Sequence, residues 1–431
     1  MLAWLGEFRI YGRPRLVAVL LMGFSSGLPL PLTLGTLSYW LAELGVSLTT
    51  IGLFTLVGLP YSFKFLWSPL MDRLPLPGVT TRLGRRRGWL LLVQALLGIA
   101  ILALGLSDPR TAPTMTALAA LAVAFLSASQ DIVIDAYRIE LLLPQEQGAG
   151  AAATQWGYRF GLIAASAGAL VAAEAHGWRF AYALMALLIG VGMATVWLTP
   201  EPRVAAPALP RAGLGALGWF EGAVIAPFAD LLRRESWLLM LLFIVLYKFG
   251  DALAGVMSNP LYVALGFSKD EVAAISKVFG VAATLVGIAA GGVVVERLGL
   301  YRALLICGVL QMLANLAYAA QVEAGHDVSM LALTIGTENF TGGMGSAAFV
   351  AYLSRLCNVA FTATQYALLS SLASVGRTTL AASGGWLAER LDWVPFFGLA
   401  TIACLPGLAL LVWLMRRDNG EWVEIARRNE A

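Results

Sequence analysis

The sequence predicts an all-α integral membrane protein of about twelve transmembrane helices arranged as two pseudo-symmetric six-helix bundles. Three observations carry this expectation. Of the 431 residues, 59% are hydrophobic and only 13% charged, whereas a soluble domain carries roughly 25% charged residues to cover its surface. Apolar runs long enough to cross a hydrocarbon layer of roughly 30 Å recur along the whole chain. The lysines and arginines fall almost entirely into alternate connections between those runs.

Taken in order, the first six runs cover residues 16–40, 51–70, 88–106, 115–137, 150–172 and 178–198. The second six cover 237–262, 272–295, 301–320, 328–353, 357–388 and 393–415. They are continuous, which excludes a barrel, whose strands alternate in hydrophobicity over about ten residues. The first run is too long for a secretory signal and lacks a small-residue cleavage site. Its Gly27, Pro29 and Pro31 predict a bent helix that is retained. The three cysteines, Cys307, Cys357 and Cys404, are scattered through apolar runs and read as small core residues without a redox role. His176 and His326 fall in loops on the outer side, so neither a metal site nor a cofactor is expected. A net charge of +3 gives no reason to expect a nucleic-acid partner.

With a cytoplasmic N-terminus, four cations face outward (Arg110, Arg179, Lys269 and Arg390). Five lie within runs (Lys64, Arg159, Lys248, Lys277 and Arg377), which leaves twenty of the 29 lysines and arginines on the cytoplasmic side. That asymmetry places both termini in the cytoplasm. Residues 199–236 break the pattern of short loops. Pro200, Pro202, Pro207 and Pro210 open the segment, and Trp219, Phe220 and Phe228 follow, which predicts a flexible stretch and then a short amphipathic helix. The expected organisation is therefore a bundle over 1–198, a cytoplasmic linker over 199–236, and a second bundle and tail over 237–431.

The halves echo one another. Asp72 and Arg73 follow the second run, with Arg85, Arg86 and Arg87 beyond; Glu296 and Arg297 follow the eighth, with Arg302 beyond. An acid at a helix end and arginines on the next connection can latch neighbouring helices. Asp135 and Arg138, at the end of the fourth run, join that expected set. This arrangement resembles the major facilitator superfamily over the whole chain. The resemblance implies two bundles working by alternating access about a central cavity near the bilayer midplane. It places runs one, four, seven and ten closest to that cavity.

An ionisable side chain at membrane depth costs roughly 2.5–3.5 kcal/mol on insertion scales, so it faces a cavity or a partner. Lys64, eight residues before Asp72, lies about 12 Å inside the membrane edge. Asp131 and Asp135 are four apart on one face of the fourth run, where Asp131 suits a proton, a substrate donor or a latch. Tyr158 and Arg159 lie about nine residues into the fifth run, and Lys248 and Asp251 are three apart in the seventh. That last pair suits either mutual neutralisation or proton coupling. Glu338, with no cation near it in the sequence, is the leading expected proton carrier, with Asp251 and Asp131 beside it. Lys277, Gln311, Asn315, Gln365, Tyr366 and Arg377 add polarity to runs eight, nine and eleven. Lys64, Arg159 and Lys248, with Tyr61, Tyr158 and Gln365, form the expected substrate contacts. Cations suit carboxylates or phosphates, and aromatic faces suit sugar rings.

More specific motifs run through both halves. They include Ser127-Ala128-Ser129-Gln130-Asp131 and Glu338-Asn339-Phe340-Thr341-Gly342-Gly343-Met344-Gly345. Segments 24–30, 64–73, 84–89, 148–152, 157–159, 357–358 and 363–370 complete the set. On these residues the chain resembles the AmpG muropeptide permeases. The resemblance implies proton-driven import of N-acetylglucosaminyl-1,6-anhydro-N-acetylmuramyl peptides from periplasm to cytoplasm. It also implies a bacterial inner-membrane location, a role in peptidoglycan recycling and an indirect effect on inducible β-lactamase. A monomer working with protons, a small-molecule substrate and the lipid bilayer, and not an enzyme, is expected. Many members carry extra hydrophobic segments near mid-chain where this linker is short, so no role of those segments is carried over. The alternative is a carrier of acetyl-coenzyme A or another anionic conjugate, for which midplane arginine clusters would be expected. A membrane transferase would need a clustered catalytic histidine or acidic pair at one interface, and neither histidine fits.

Overall fold

The computed structural model describes residues 11–46, 54–202, 221–381 and 383–417, and among them helix is the only regular structure. Prolines decide where the first two segments break, since each removes a ladder hydrogen bond. Helix α1 (Pro14–Glu43) is interrupted around Leu28 and Leu34, on either side of Pro29 and Pro31. Segment α2 is a chain of short pieces. The helices Leu59–Phe63 and Ser68–Arg73, with Pro60 and Pro69 in their first turns, alternate with 3-10 turns at Thr55–Gly58 and Lys64–Leu66. Then come α3 (Arg85–Leu106), α4 (Pro113–Leu141), α5 (Gln147–Ile163, continuing through a π turn to Ala169–His176) and α6 (Trp178–Leu198).

The second set begins with α7 (Trp237–Ala264), which pauses at Tyr247 and Lys248, and α8, whose main part is Val281–Leu298. It continues with α9 (Leu300–Ala324), α10 (Val328–Arg355), α11 (Thr362–Ala381, then Ser383–Ala388) and α12 (Trp393–Arg417). Of the expected linker helix, Trp219 and Phe220 lie outside the described residues; a short helix, Ala226–Leu232, contains Phe228.

Each expected apolar run thus carries helix, but the segments are not equally suited to a bilayer. Eight are long and apolar enough on their own: α1, α3, α4, α6, α7, α8, α9 and α12. Helix α10 and the following Val359–Arg377 pass that test only as a pair, bent by 93° at the break between them. Segments α2 and α5 fall short for physical reasons. The first is broken into turns and carries Lys64, and the second opens on glycine, alanine, glutamine and threonine.

The chain forms two compact units. The first joins the described residues up to Ala229 with Cys357–Ser371; the second joins Asp230–Leu356 with residues from Leu372 onward. Inside the first unit, α5 lies along α1, and α3 packs on both α4 and α6. Backbone-close packing of α1 on α5 depends on two glycine pairs, each four residues apart. A Cβ at Gly23 or Gly27 would strike the carbonyls of Thr154 or Tyr158, and one at Gly157 or Gly161 those of Leu20 or Phe24. Inside the second unit the same device serves a different pair. There α8 lies along α10, where Gly287 and Gly291 abut the carbonyls of Phe340 and Met344, and Gly343 abuts that of Thr284.

Candidate functional site

Two polar centres stand out in the first unit, and both are assembled from helix ends and breaks. The first is at its arginine-rich end. Arg86, in the first turn of α3, is 1% exposed and serves two carboxylates. Its Nη2 donates to Asp72 Oδ1 at 2.7 Å and to Glu140 Oε1 at 2.5 Å, its Nε donates to both Glu140 oxygens at 3.1 Å, and its Nη1 reaches the Met71 carbonyl. Asp72 in turn caps the N-terminus of α11. Its Oδ2 accepts from the Thr364 N–H at 2.7 Å and the Thr364 hydroxyl at 2.6 Å, and its Oδ1 accepts from the Ala363 N–H at 3.2 Å. A carboxylate here meets both an arginine and the positive end of a helix dipole.

The neighbouring arginines are engaged as well. Arg85 donates to the Asp72 carbonyl at 2.6 Å, while Arg87 donates to the carbonyls of Val196 and Trp197. Glu201 closes the N-terminus of α3 by accepting from the backbone N–H groups of Arg86 and Arg87. Gly84 precedes that turn at φ +88°, a conformation that favours glycine, and a Cβ there would strike the Glu201 carboxylate. The Arg73 guanidinium stands over the Phe361 ring at 5.1 Å. Asp72 and Arg85–Arg87, expected as part of a latch, thus lie in one cluster with three residues that were not expected there: Glu140, Glu201 and Thr364. Nothing in the sequence spacing marks Glu201, which lies between two prolines. Nor does spacing mark Glu140, which lies two residues after Arg138 and so on a different face of α4.

The second centre lies deeper, where α1, α2 and α4 meet. Asp135 has Lys64 Nζ at 4.0 Å and Arg138 Nη2 at 3.6 Å. Asp135 thus pairs with these two cations rather than with the Arg85–Arg87 cluster. The Arg138 guanidinium also faces the Tyr366 ring at 5.4 Å. Asp131, one turn earlier on α4, accepts from the Ser26 hydroxyl at 2.5 Å. Tyr61 and Tyr158 lie within electrostatic reach of Asp131. Arg159 is exposed at the surface of the unit beside Tyr158. Gln365 is 1% exposed, and its amide is held at both ends by backbone: Oε1 accepts from the Asn358 N–H at 2.7 Å and Nε2 donates to the Pro227 carbonyl at 3.0 Å.

The second unit holds its own centre. Lys248 Nζ lies 3.4 Å from Asp251 Oδ2, and Gln311 Nε2, arriving from α9, donates to the same oxygen at 3.3 Å. Gln311 reaches across because Gly345 on α10 leaves its carboxamide room. Asn315, one turn further on, donates to Cys404 Sγ at 3.7 Å. These two side chains of α9 face inward, within the bundle. Glu338 is half-buried on α10, within electrostatic reach of the Tyr262 and Tyr318 hydroxyls, and Asn339 beside it accepts from the Thr284 hydroxyl. Glu296, Arg297 and Arg302 flank the α8–α9 turn at Gly299, with both arginines exposed. Nothing is described of the Lys277 side chain, which lies outside the described residues.

Of the two histidines, His176 packs edge-on against Phe180, and His326 stacks on Phe267 with its Nε2 3.3 Å from Glu271. The Ser268 N–H and hydroxyl both donate to Glu271 and hold its carboxyl below the usual range.

Known proteins share this architecture. The human organic anion transporter MFSD10 superposes with a TM-score of 0.65 at 16% identity, covering 94% of this chain and 99% of its own. The fucose:proton symporter FucP of E. coli does so with 0.65 at 13% identity, covering 96% and 97%. Family profiles described as Acetyl-coenzyme A transporter 1 and Major Facilitator Superfamily match residues 16–176 and 240–429. Sequence relatives are much nearer. The Anhydromuropeptide permease of Escherichia coli (strain K12) is 44% identical over 419 residues, 97% of this chain and 82% of that protein. Putative transporter AmpG 4 of Rickettsia felis is 34% identical, over 95% of this chain and 99% of its own. At that identity and coverage, the chain belongs to the anhydromuropeptide permease (AmpG) family within the major facilitator superfamily.

Proposed function

We propose that this protein imports anhydromuropeptides from periplasm to cytoplasm across a bacterial inner membrane, with protons moving in the same direction, for peptidoglycan recycling. The observation that carries the reading is the 44% identity over 97% of the chain to a permease named for that substrate. The physical chemistry agrees with it. The polar centres supply cations for peptide carboxylates and tyrosines for sugar rings, in the form of Lys64, Lys248, Tyr61 and Tyr158. Two six-helix sets, each with its own polar centre, suit a carrier that opens to each side in turn. Both termini then lie in the cytoplasm, the side that the arginines favour.

The test uses the purified protein in proteoliposomes with labelled anhydro-disaccharide tripeptide. An imposed inward proton gradient should drive accumulation above equilibrium, and a protonophore should abolish it. No accumulation, or accumulation indifferent to the protonophore, would overturn coupled import.

A second reading has one observation behind it: the acetyl-coenzyme A transporter profile matches residues 16–176. A phosphate-rich conjugate is suited to arginine clusters, whose guanidinium fork matches phosphate bidentately. The Arg85–Arg87 cluster in that region already serves Asp72, Glu140, Glu201 and two helix-end carbonyls. Unlabelled acetyl-coenzyme A in excess should therefore leave muropeptide uptake unchanged; inhibition in step with its concentration would favour the second reading.

A further inference from the structure

The two carboxylates one turn apart on α4 have unequal partners. Both nearby cations, Lys64 and Arg138, lie on Asp135. Among the described residues no cation lies within ion-pair distance of Asp131, whose Oδ1 instead accepts from the Ser26 hydroxyl at 2.5 Å. The contact is built into the packing of α1 on α4. The adjacent Ser25 pairs with the adjacent Gln130, its hydroxyl donating to Oε1 at 3.2 Å while Gln130 Nε2 donates to the Ser25 carbonyl at 3.1 Å. Two consecutive residues of α1 thus grip two consecutive residues of α4 and fix the register.

Beside this clasp lie the buried hydroxyls of Tyr61 and Ser127, close to one another and, for Tyr61, to Thr33. Tyr61 is within electrostatic reach of both Asp131 and Ser127, and Ser127 shares the Asp131 face of α4. The other charged and titratable groups facing Asp131 are Lys64 from α2, Asp135 from its own helix, Tyr158 from α5 and Tyr366 from α11.

We propose that Asp131 picks up and releases the coupling proton and that Ser26 is its positioning residue. The assignment rests on the coupled-import reading above. When Asp131 is ionised, its carboxylate accepts from Ser26. When a proton from water binds the carboxyl, the new O–H needs an acceptor, and the oxygens of Tyr61 and Ser127 have lone pairs to offer. The proton returns to water on the other side. No ion pair has to break in either step, in contrast to Asp135, whose protonation would strand two cations. Losing the charge on Asp131 also changes the field at Lys64, which links protonation to the cluster beside it.

The test compares the wild type with Asp131→Asn, Ser26→Ala and Ser26→Thr in the proteoliposome assay, under an inward proton gradient and in substrate exchange without one. Asparagine keeps an acceptor for Ser26, so the clasp survives while the titration is removed. Asp131→Asn should lose gradient-driven accumulation, and the exchange that remains should no longer vary with pH. Ser26→Ala should slow gradient-driven accumulation about tenfold, the scale of a hydrogen bond to a charged group, and Ser26→Thr should restore it. Accumulation by Asp131→Asn at the wild-type level would overturn the assignment while leaving coupled import standing. Wild-type behaviour of Ser26→Ala, or failure of Ser26→Thr to rescue, would overturn the role of Ser26. A wild type that exchanges substrate without accumulating it would sink coupled import and this assignment together.

Discussion

A single arginine shows what a buried charge does in this molecule. Arg86 is almost wholly enclosed, and without it Asp72 would keep the Thr364 and Ala363 donors while the Glu140 carboxylate would lose the guanidinium that donates to both its oxygens. Removing one partner of a buried ion pair typically costs about 3–5 kcal/mol, because the other charge stays desolvated. Arg86→Ala should therefore unfold at markedly lower denaturant than the wild type in detergent, by a free energy of that order. A loss under about 0.5 kcal/mol, the usual surface value, would mean that the enclosure is wetter than described. At this scale the sequence was partly legible. A charge inside an apolar run announces itself by its cost, so Lys64, Asp131, Asp135, Lys248, Asp251 and Glu338 all stood out. Neighbours on one helix, Lys248 with Asp251 and Asp135 with Arg138, follow from spacing, but distant partners do not: Lys64 comes to Asp135 from another segment, and the Thr364 N–H reaches Asp72 across 292 residues. Gln311 lies on α9, outside the runs expected closest to the cavity, and reaches Asp251 because Gly345 gives its carboxamide room.

The elements depend on the absence of side chains as much as on their presence. Between α1 and α5 the obstacle to any added atom is backbone: the Leu20 carbonyl and Phe24 nitrogen face Gly157. Main chain in a helix cannot swing aside as a flexible side chain can. Gly157→Val should push α5 off α1 and cost about 3 kcal/mol or more, the upper range for overpacking. Gly190, inside α6 with nothing within 4 Å of an added Cβ, is the contrasting position. There Gly190→Ala should gain roughly 0.5–1 kcal/mol from helix propensity alone. Equal effects at the two sites, measured by thermal unfolding in detergent, would refute the packing argument. The sequence exposes prolines and apolar length directly, which is why the interruption of α1 at Pro29 and Pro31 and most helix positions were foreseeable, whereas the breaks in α2 beside Pro60 and Pro69 were not expected. It does not say which glycines face another backbone, so the α1–α5 and α8–α10 contacts emerge only in three dimensions.

At the scale of the whole molecule, the repeat is visible in the packing within each unit: α3 meets α4 and α6 in the first, and α9 meets α10 and α12 in the second. Arginine placement further predicts which connections face the cytoplasm, and the least apolar segments are where that prediction is most exposed. If α2 crosses, Ala42 and Thr81 lie on opposite sides of the membrane; if α5 crosses, so do Gln145 and His176. All four are exposed positions flanking those two segments. The native Cys307, Cys357 and Cys404 are buried thiols outside any disulfide, so they can be replaced by alanine to give a clean background. Single cysteines at the four positions would then be treated with an impermeant maleimide on intact spheroplasts. Ala42→Cys and His176→Cys should label at once, whereas Thr81→Cys and Gln145→Cys should label only after lysis. The reverse pattern would invert the orientation and make the import direction untenable for this arrangement of arginines. Labelling of both members of a pair from one side would mean that the intervening segment folds back without crossing. In that case the two six-helix halves would lose their matching topology, and with it the physical basis for alternating access.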